Sequence, residues 1–363
     1  LILINTLKII RLICINLIFY ILFLSSIDFI LGRFFLRANP PVSSVPYASW
    51  DVKIENDITH LYDVKNKKVL YIRDENGYRN FRKNKDLILT IGGSTTDQRY
   101  TSEEYTWQFL INNKIKDKNI AIINGGVPGQ SSSGHLYSIN HWHSKSLDVN
   151  KVKKVIFYIG ANDFHLFNKD VFGYQIRLFL ANYSFLYSKL RDIRYLYINN
   201  VLNKNANNIY FGEKRNFEFL QKGNLYNVNV ELKNQSRIYR NLFKKLMLST
   251  KKKFPHAEIY LVQQHLPGCF FHSKDIVENR YPIIYKNDYM LKPDKTLYSC
   301  IMLGKVFIEQ DKALDELSEK FKPNVIKMYL DNPLNDVGVY DDLHTNNLGS
   351  KQIADYLLQK INF

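Results

Sequence analysis

Short apolar runs alternate with longer amphipathic stretches through the C-terminal three quarters of the chain. Five of these runs predict strands, at residues 87–92, 120–124, 154–160, 258–263 and 324–330. Amphipathic stretches predict helices near 104–115, 134–147, 236–253, 303–321 and 347–361. Apolar strands that alternate with helices are typical of parallel sheets buried on both faces. The pattern therefore predicts an α/β fold, a three-layer α/β/α sandwich around a parallel five-stranded sheet.

Two stretches are longer than a minimal connection between parallel strands requires, about 164–235 and 265–300. Long excursions in α/β proteins lie at strand ends, where binding sites also lie, so we expect both to contribute to specificity. The first contains YQIRLFLANYSFLYSKLRDIRYLY at 174–197. We interpret this segment as an amphipathic helix that buries its aromatic side chains, with a sugar-stacking or membrane-facing surface as the alternative.

An almost uninterrupted apolar run occupies residues 12–31, and Asp28 is its only formal charge. About 20 residues of helix cross a hydrocarbon layer of about 30 Å, so the run predicts a transmembrane helix. A buried core helix and a cleaved signal peptide are the alternatives. We divide the chain into an N-terminal membrane anchor at 1–38, a linker and lead-in segment at 39–85, and a catalytic domain at 86–363.

Basic residues flank this run on both sides, Lys8 and Arg11 before it and Arg33 and Arg37 after it. The positive-inside rule therefore barely distinguishes the two orientations. We take the charged N-terminus as the end that is retained in the cytoplasm. We therefore expect a single-pass membrane protein whose catalytic domain lies outside the cytoplasm.

The net charge of +16 raises the question of nucleic-acid binding. Lys, Asn, Ile and Tyr are abundant together, which indicates a general compositional bias, and neither zinc-finger spacing nor a base-reading basic helix is present. We expect no nucleic-acid partner and consider anionic lipid or acidic glycan instead. Of the three cysteines, Cys14 lies in the apolar run, and pairing of Cys269 with Cys300 stays open.

Unusual glycine-rich or polar clusters follow the first three predicted strands, and a fourth lies near the C-terminus. They are GGSTT with Ser94, NGGVPGQSSS with Gly129, GAND with Asn162, and YDDLHTNNLGS with Asp341 and His344. The carboxyl ends of parallel strands share one edge of a sheet, so these clusters can converge. Acyl transfer requires such a set of groups, namely a hydroxyl nucleophile, an imidazole base, a carboxylate that orients the base, and hydrogen-bond donors for the oxyanion.

Together these four blocks resemble the SGNH hydrolases, also called the GDSL esterase/lipase family. The first block reads GGSTT where the more familiar form of that family reads GDS. The Gly-Gly-Ser variant occurs in bacterial members of the family. The resemblance covers about residues 86–361 and implies a flavodoxin-like sandwich. It implies that Ser94 is the nucleophile and one oxyanion donor, that Gly129 and Asn162 are the other donors, and that Asp341 and His344 complete a triad.

Other polar residues have less specific interpretations. Asp342 does not match the spacing of the motif, so we interpret it as a solvated neighbour of His344. His141 and His143 would face different directions on a helix, and we predict no metal and no cofactor. Gln264 and His265 follow a strand and are interpreted as a structural loop, with substrate contact as the alternative.

The sequence thus predicts a membrane-tethered serine ester hydrolase that removes short acyl groups, acetyl above all, from a cell-envelope or exported glycan. The alternatives are an acyltransferase to glycan hydroxyls, a lipase or lysophospholipase, and a non-catalytic carbohydrate-binding envelope protein. The expected partners are an acylated glycan or lipid substrate and the membrane itself. The oligomeric state stays open.

Overall fold

The computed structural model describes most of the predicted catalytic domain. The described residues are 2–36, 49–53, 68–80, 85–115, 118–163, 179–181, 183–197, 218–264, 285–286, 289–292, 295–331, 333–334, 338–339 and 344–363. Ten strands lie in this part of the chain: β1 Ser49–Lys53, β2 Lys68–Ile72, β3 Asp86–Gly92, β4 Ile120–Asn124, β5 Val152–Ile159, β6 Glu218–Gln221, β7 Glu258–Gln263, β8 Tyr285–Lys286, β9 Tyr289–Lys292 and β10 Asn324–Lys327.

The central sheet contains five strands in the order β10-β7-β5-β3-β4, and every neighbouring pair is parallel. These are the five strands that the apolar runs predicted. Counted along the chain within this sheet, the order is 2-1-3-4-5, the flavodoxin-like arrangement. The strand order reverses between β3 and β5, and ligands of such sheets bind at the carboxyl ends of the strands beside that reversal.

Ten α-helices are described: α1 Ile2–Phe35, α2 Ser94–Asp97, α3 Trp107–Lys114, α4 Ser132–Ser138, α5 Ser144–Ser146, α6 Phe185–Tyr197, α7 Lys222–Lys253, α8 Lys295–Asp315, α9 Met328–Asp331 and α10 Asn347–Lys360. A π-helical turn at Ile139–His143 joins α4 to α5, and 3₁₀ turns lie at Glu103–Tyr105 and Glu319–Phe321.

Alternate residues of each strand face opposite sides of the sheet and enter two separate cores. On one side, Leu89 and Phe157 pack in a core with residues of α4, α7 and α8, among them Phe243. On the other side, Ile88 and Ile156 pack in a core with residues of α3 and α10. The predicted three-layer α/β/α sandwich is therefore confirmed.

Two small sheets accompany the central one. Strands β1 and β2 form an antiparallel ribbon ahead of the central sheet, and β6, β9 and β8 form a three-stranded antiparallel sheet. The end of β2 and the residues that follow it enter the protein interior, where Tyr71, Arg73 and Arg79 are almost completely buried. Part of the lead-in segment is thus packed against the domain that begins with β3.

The N-terminal helix α1 is long and apolar enough over Ile9–Phe35 to cross a membrane. Its side chains are mostly exposed, so it is not a helix of the protein core. The C-terminal end of α1 packs against α6, the described helix of the first long excursion.

Candidate active site

The predicted nucleophile lies at the point where β3 ends. Gly92 is the last residue of β3, Gly93 follows it, and Ser94 begins the single helical turn α2. A methyl group on Gly92 would collide with the side chain of Thr96 and the carbonyl of Tyr158, and one on Gly93 would collide with the Asn162 amide.

Unusual backbone angles do not explain these two glycines. The glycines with positive φ in the described chain are Gly77, Gly129 and Gly160. Gly92 and Gly93 are instead required by close packing, because β5 and the Asn162 side chain occupy the space of their missing side chains.

The second and third blocks meet beside Ser94. Val127–Gln130 form a turn in which the Gln130 N–H donates to the Val127 carbonyl oxygen at 3.1 Å. Pro128 and Gly129 are the two central residues of this turn, and φ at Gly129 is +70°, as a type II turn requires. The Asn162 Nδ2 donates to the Gln130 carbonyl oxygen at 3.1 Å, so this hydrogen bond joins the two blocks.

His344 reaches the same place from the C-terminal part of the chain. Its Nε2 lies 2.7 Å from Ser94 Oγ, a hydrogen-bond distance between residues 250 positions apart in sequence. The structure therefore brings Ser94, Asn162 and His344 together at the reversal between β3 and β5, as the sequence predicted. Asp341 and its neighbour Asp342 lie outside the described residues.

The blocks that carry Ser94, Gly129 and Asn162 contain three hydrogen-bond donors that no described residue accepts. Among the hydrogen bonds of the described residues, none uses the backbone N–H of Ser94 or that of Gly129. The Asn162 amide carries a second N–H besides the one that Gln130 accepts. Because α2 is a single turn, its dipole contributes little, and an oxyanion here would depend on these three donors.

Gln98 connects the nucleophile turn to the chain that carries His344. It ends α2 with a left-handed backbone conformation, φ 51°, and its side-chain oxygen accepts from the Trp107 N–H at 2.9 Å. Its amide nitrogen donates to Thr345 Oγ1 at 3.0 Å and to Ser350 Oγ. One N–H of this buried amide thereby holds Thr345, the residue after His344, and the other holds Ser350 in α10. Sequence reasoning missed Gln98, although it lies only four residues beyond Ser94.

Two buried arginines of the lead-in segment hold the end of α2. Arg73 forms a buried ion pair with Asp97 and donates to the Gly126 carbonyl oxygen at 2.7 Å. Tyr71 Oη donates to the same Asp97 carboxylate at 2.7 Å. Arg79 donates to the carbonyl oxygens of Asp97 and Gln98. The Arg79 guanidinium thus satisfies the carbonyls at the end of α2, and the Arg73 guanidinium neutralises the Asp97 carboxylate.

Asp163, the residue after Asn162, is fully buried and fixes the third block to the second. Its carboxylate accepts from the Ser132 N–H at 2.6 Å, from Ser132 Oγ at 2.7 Å and from Tyr239 Oη at 2.9 Å. Burial raises the pKa of the Asp163 carboxyl to about 6, and the three hydrogen bonds lower it only in part.

This raised pKa predicts a specific pH dependence of stability. The folded state binds the Asp163 proton more tightly than the unfolded state does. The contribution of this proton to the free energy of unfolding is therefore fully present below pH 4 and is lost as the pH rises through about 6. The difference between the pKa of Asp163 in the folded and in the unfolded state corresponds to at most about 3 kcal/mol of unfolding free energy. We expect Asp163→Asn, which keeps the shape of the side chain and one acceptor oxygen but cannot ionise, to remove the decline that Asp163 causes.

The measurement is urea unfolding of the full-length protein in detergent between pH 4 and 7.5. Asp86→Asn, at the partly exposed start of β3, serves as the control and should leave the pH profile unchanged. Identical profiles for wild type and Asp163→Asn would contradict the assignment.

Asn162 provides a second test of the site. We expect Asn162→Ala to lower kcat for a small activated ester by roughly 10²- to 10³-fold, because one of three oxyanion donors is lost. The matched control is Asn140→Ala, which removes an amide that donates to the Leu136 carbonyl oxygen and accepts from Ser249 Oγ, without a hydrogen bond to the site residues. An effect confined to KM would instead make Asn162 a ground-state substrate contact.

The remaining polar candidates have structural partners. Gln264 is buried, donates to Thr95 Oγ1 and accepts from the Ala161 N–H at 2.9 Å, so it supports the residues beside Ser94 and Asn162. His143 is buried against Tyr78 Oη at 2.9 Å, whereas His141 stacks on another ring. His265 and Cys269 lie outside the described residues, so the structure does not describe whether Cys269 pairs with Cys300.

Comparison with known proteins supports the interpretation of these blocks. A family model described as GDSL-like Lipase/Acylhydrolase matches residues 88–357, which include Ser94, Gly129, Asn162, Asp341 and His344. None of the curated proteins matches the chain.

Similar solved structures include an acetylxylan esterase and a psychrotrophic esterase. Axe2 from Geobacillus stearothermophilus is 13% identical, with a TM-score of 0.39 over 78% of this chain and 97% of that one. EstA from Pseudoalteromonas sp. is 14% identical, with a TM-score of 0.36 over 76% of this chain and 95% of that one.

Proposed function

The chain belongs to the GDSL-like lipase/acylhydrolase family, and from this premise we propose that it is a serine esterase whose nucleophile is Ser94. The distance of 2.7 Å between Ser94 Oγ and His344 Nε2 carries the proposal, because it is the hydrogen bond through which a base activates a hydroxyl. Asp341, three residues before His344, is the proposed carboxylate that orients the imidazole ring.

The reaction then proceeds in two steps. His344 Nε2 takes the proton of Ser94 as Oγ attacks the ester carbonyl, and the proton passes to the departing alcohol. Water next attacks the acyl-Ser94 ester, losing its proton to His344, and Ser94 is regenerated as the acid leaves. The backbone N–H groups of Ser94 and Gly129 and the Asn162 amide stabilise the oxyanion in both steps.

We also propose that α1 is retained as a single-pass anchor and that the catalytic domain faces the extracytoplasmic side. The support is the length and apolar composition of Ile9–Phe35, together with contacts between the end of α1 and residues of the domain's first excursion. A signal peptide that is removed would not require such contacts.

The proposed substrate is a short acyl ester, acetyl above all, on a cell-envelope or exported glycan. A membrane tether and a strongly basic chain suit a large, acidic polymer better than a small free metabolite. A lysophospholipase is the second candidate, and the exposed apolar side chains of α6 favour it, because they would bring the site to a lipid surface.

Acyl chain length separates these two functions. We expect kcat/KM of the full-length protein to be higher for p-nitrophenyl acetate than for the C8 to C12 esters. A long-chain enzyme needs an extended apolar groove and gains up to about 0.8 kcal/mol, or roughly fourfold, for each buried CH₂. Higher kcat/KM at C8 and beyond would contradict the acetyl assignment. Product analysis with and without a glycan acceptor then distinguishes hydrolysis from acyl transfer.

A further inference from the structure

One face of α6 carries a row of large apolar side chains that the described protein leaves exposed. Leu186, Leu190, Ile193 and Tyr197 are each more than half exposed. Their spacing of four, three and four residues places them within an arc of roughly 60° on the helix. Ser188, on the opposite side of α6, is buried against the protein. We call the four side chains the apolar row of α6.

Basic side chains border this row on both sides. Lys189 and Arg194 are exposed, and at about 100° per residue each lies roughly 70° from the centre of the row. Long basic side chains in such positions extend toward lipid headgroups while the apolar face enters the boundary of the hydrocarbon. This arrangement is typical of helices that lie in a membrane interface.

The beginning of α6 is attached to the end of α1. Asp28 Oδ1 accepts from the Leu186 N–H at 2.7 Å, so the only charge in the apolar run satisfies a free donor at the start of α6. Ser184 Oγ accepts from the Tyr187 N–H at 3.0 Å and satisfies a second one.

Close packing adds to these hydrogen bonds. A methyl group on Gly32 would collide with the Tyr183 carbonyl, so the two segments approach as closely as a glycine allows. Aromatic rings pair across the same contact, Phe29 with Phe179 at 5.8 Å and Phe35 with Phe185 at 5.9 Å between centroids. The start of α6 is therefore held where α1 would leave the hydrocarbon layer.

From these observations we propose that α6 lies in the headgroup interface of the bilayer that α1 crosses, with its apolar row immersed and Lys189 and Arg194 facing anionic lipid. The inference rests on the proposed membrane anchor but not on the esterase chemistry. It would give the domain a second, non-covalent attachment to the membrane surface and would restrict its rotation about the anchor.

Tryptophan scanning of the full-length protein in vesicles tests this placement. Leu190→Trp and Ile193→Trp report on the apolar row, and Ile21→Trp reports on the middle of α1. Glu319→Trp, at an exposed 3₁₀ turn, is the control in water. Each protein is reconstituted in vesicles of 3:1 phosphatidylcholine and phosphatidylglycerol, and the acyl chains of the phosphatidylcholine carry bromine at either a shallow or a deep position. The tryptophan emission of the wild-type protein is subtracted from that of each variant.

We expect shallow bromines to lower the added emission of Leu190→Trp and Ile193→Trp about twofold, while Glu319→Trp is quenched only by acrylamide. Ile21→Trp should be quenched by deep bromines. Charge reversal at Lys189 and Arg194 should reduce the quenching at residue 190, because anionic lipid then repels the helix.

Three results would overturn the proposal. Quenching of residues 190 and 193 by acrylamide alone would place the row in water, and protection from both quenchers would mean that a protein surface covers it. Loss of lipid quenching at residue 21 would remove the anchor on which the inference rests. Esterase activity, measured on the same vesicles, reports separately on the proposed function and on correct folding.

Discussion

Ser94→Ala is expected to abolish ester hydrolysis, with less than about one thousandth of the wild-type kcat remaining, while the domain keeps its fold. Ser94 Oγ is the hydroxyl that His344 contacts, and no other side chain is proposed to attack the substrate. Removal of one partly buried hydroxyl creates no large cavity, so the thermal unfolding midpoint should change little.

The measurement combines p-nitrophenyl acetate hydrolysis with labelling by a fluorophosphonate probe, which requires an activated serine. Wild type should be labelled at Ser94 and Ser94→Ala not at all. Ser144→Ala, a serine bonded within its own helix region, is the matched control and should behave as wild type. Residual activity above one tenth of wild type, or labelling of another serine, would refute the assignment.

Among the substitutions considered, Arg73→Leu is expected to lower the free energy of unfolding most, by about 3–5 kcal/mol. It leaves the Asp97 carboxylate buried without its cation. The same change removes the donor to the Gly126 carbonyl oxygen. Urea unfolding of the full-length protein in detergent measures the effect. Arg240→Leu, which removes a partly exposed arginine paired with Glu309, is the matched control and should cost less.

Asp97→Asn in the Arg73→Leu background should restore part of the lost stability, since it removes the unpaired charge and keeps an acceptor for Tyr71 Oη. Such rescue distinguishes an electrostatic cause from a simple loss of packing. If Arg73→Leu alone unfolds at the same urea concentration as wild type, the ion pair contributes nothing measurable and the argument is wrong.

The central sheet could be predicted from sequence because its strands are apolar runs with clear ends. Each run that was assigned to a strand, such as 87–92 and 258–263, forms a strand of the parallel sheet, except that the end of the run 324–330 belongs to the helix α9. The meeting of Ser94 with His344 followed from the same pattern, since strand ends share one edge of the sheet.

The supporting residues could not be predicted in the same way. Arg73 and Arg79 come from a polar segment without periodicity, and nothing in their sequence surroundings distinguishes a buried arginine from a solvated one. Gln98 lies just beyond the first block and Asp163 ends the third, but their roles depend on Thr345 and Ser132, which become neighbours only in the folded chain.

The excursion at 174–197 shows a different limit. Its helical periodicity could be read from the sequence, and α6 occupies its second half. We expected its aromatic side chains to be buried in the protein, whereas Phe179, Tyr183 and Tyr197 are exposed in the described structure. Periodicity identifies an apolar face, but it does not tell whether protein or lipid covers that face.

The two arginines of the lead-in segment also determine how the domain could be released from a membrane. Proteolysis between α1 and β2 would leave Arg73 and Arg79 on the catalytic side of the cut, so a shed fragment would retain the groups that hold the end of α2. Cleavage just before β3 would separate both guanidinium groups from the carbonyls and the carboxylate that they bind. The shortest released form that keeps all of these contacts to the nucleophile turn therefore begins no later than Tyr71, whose hydroxyl also binds the Asp97 carboxylate.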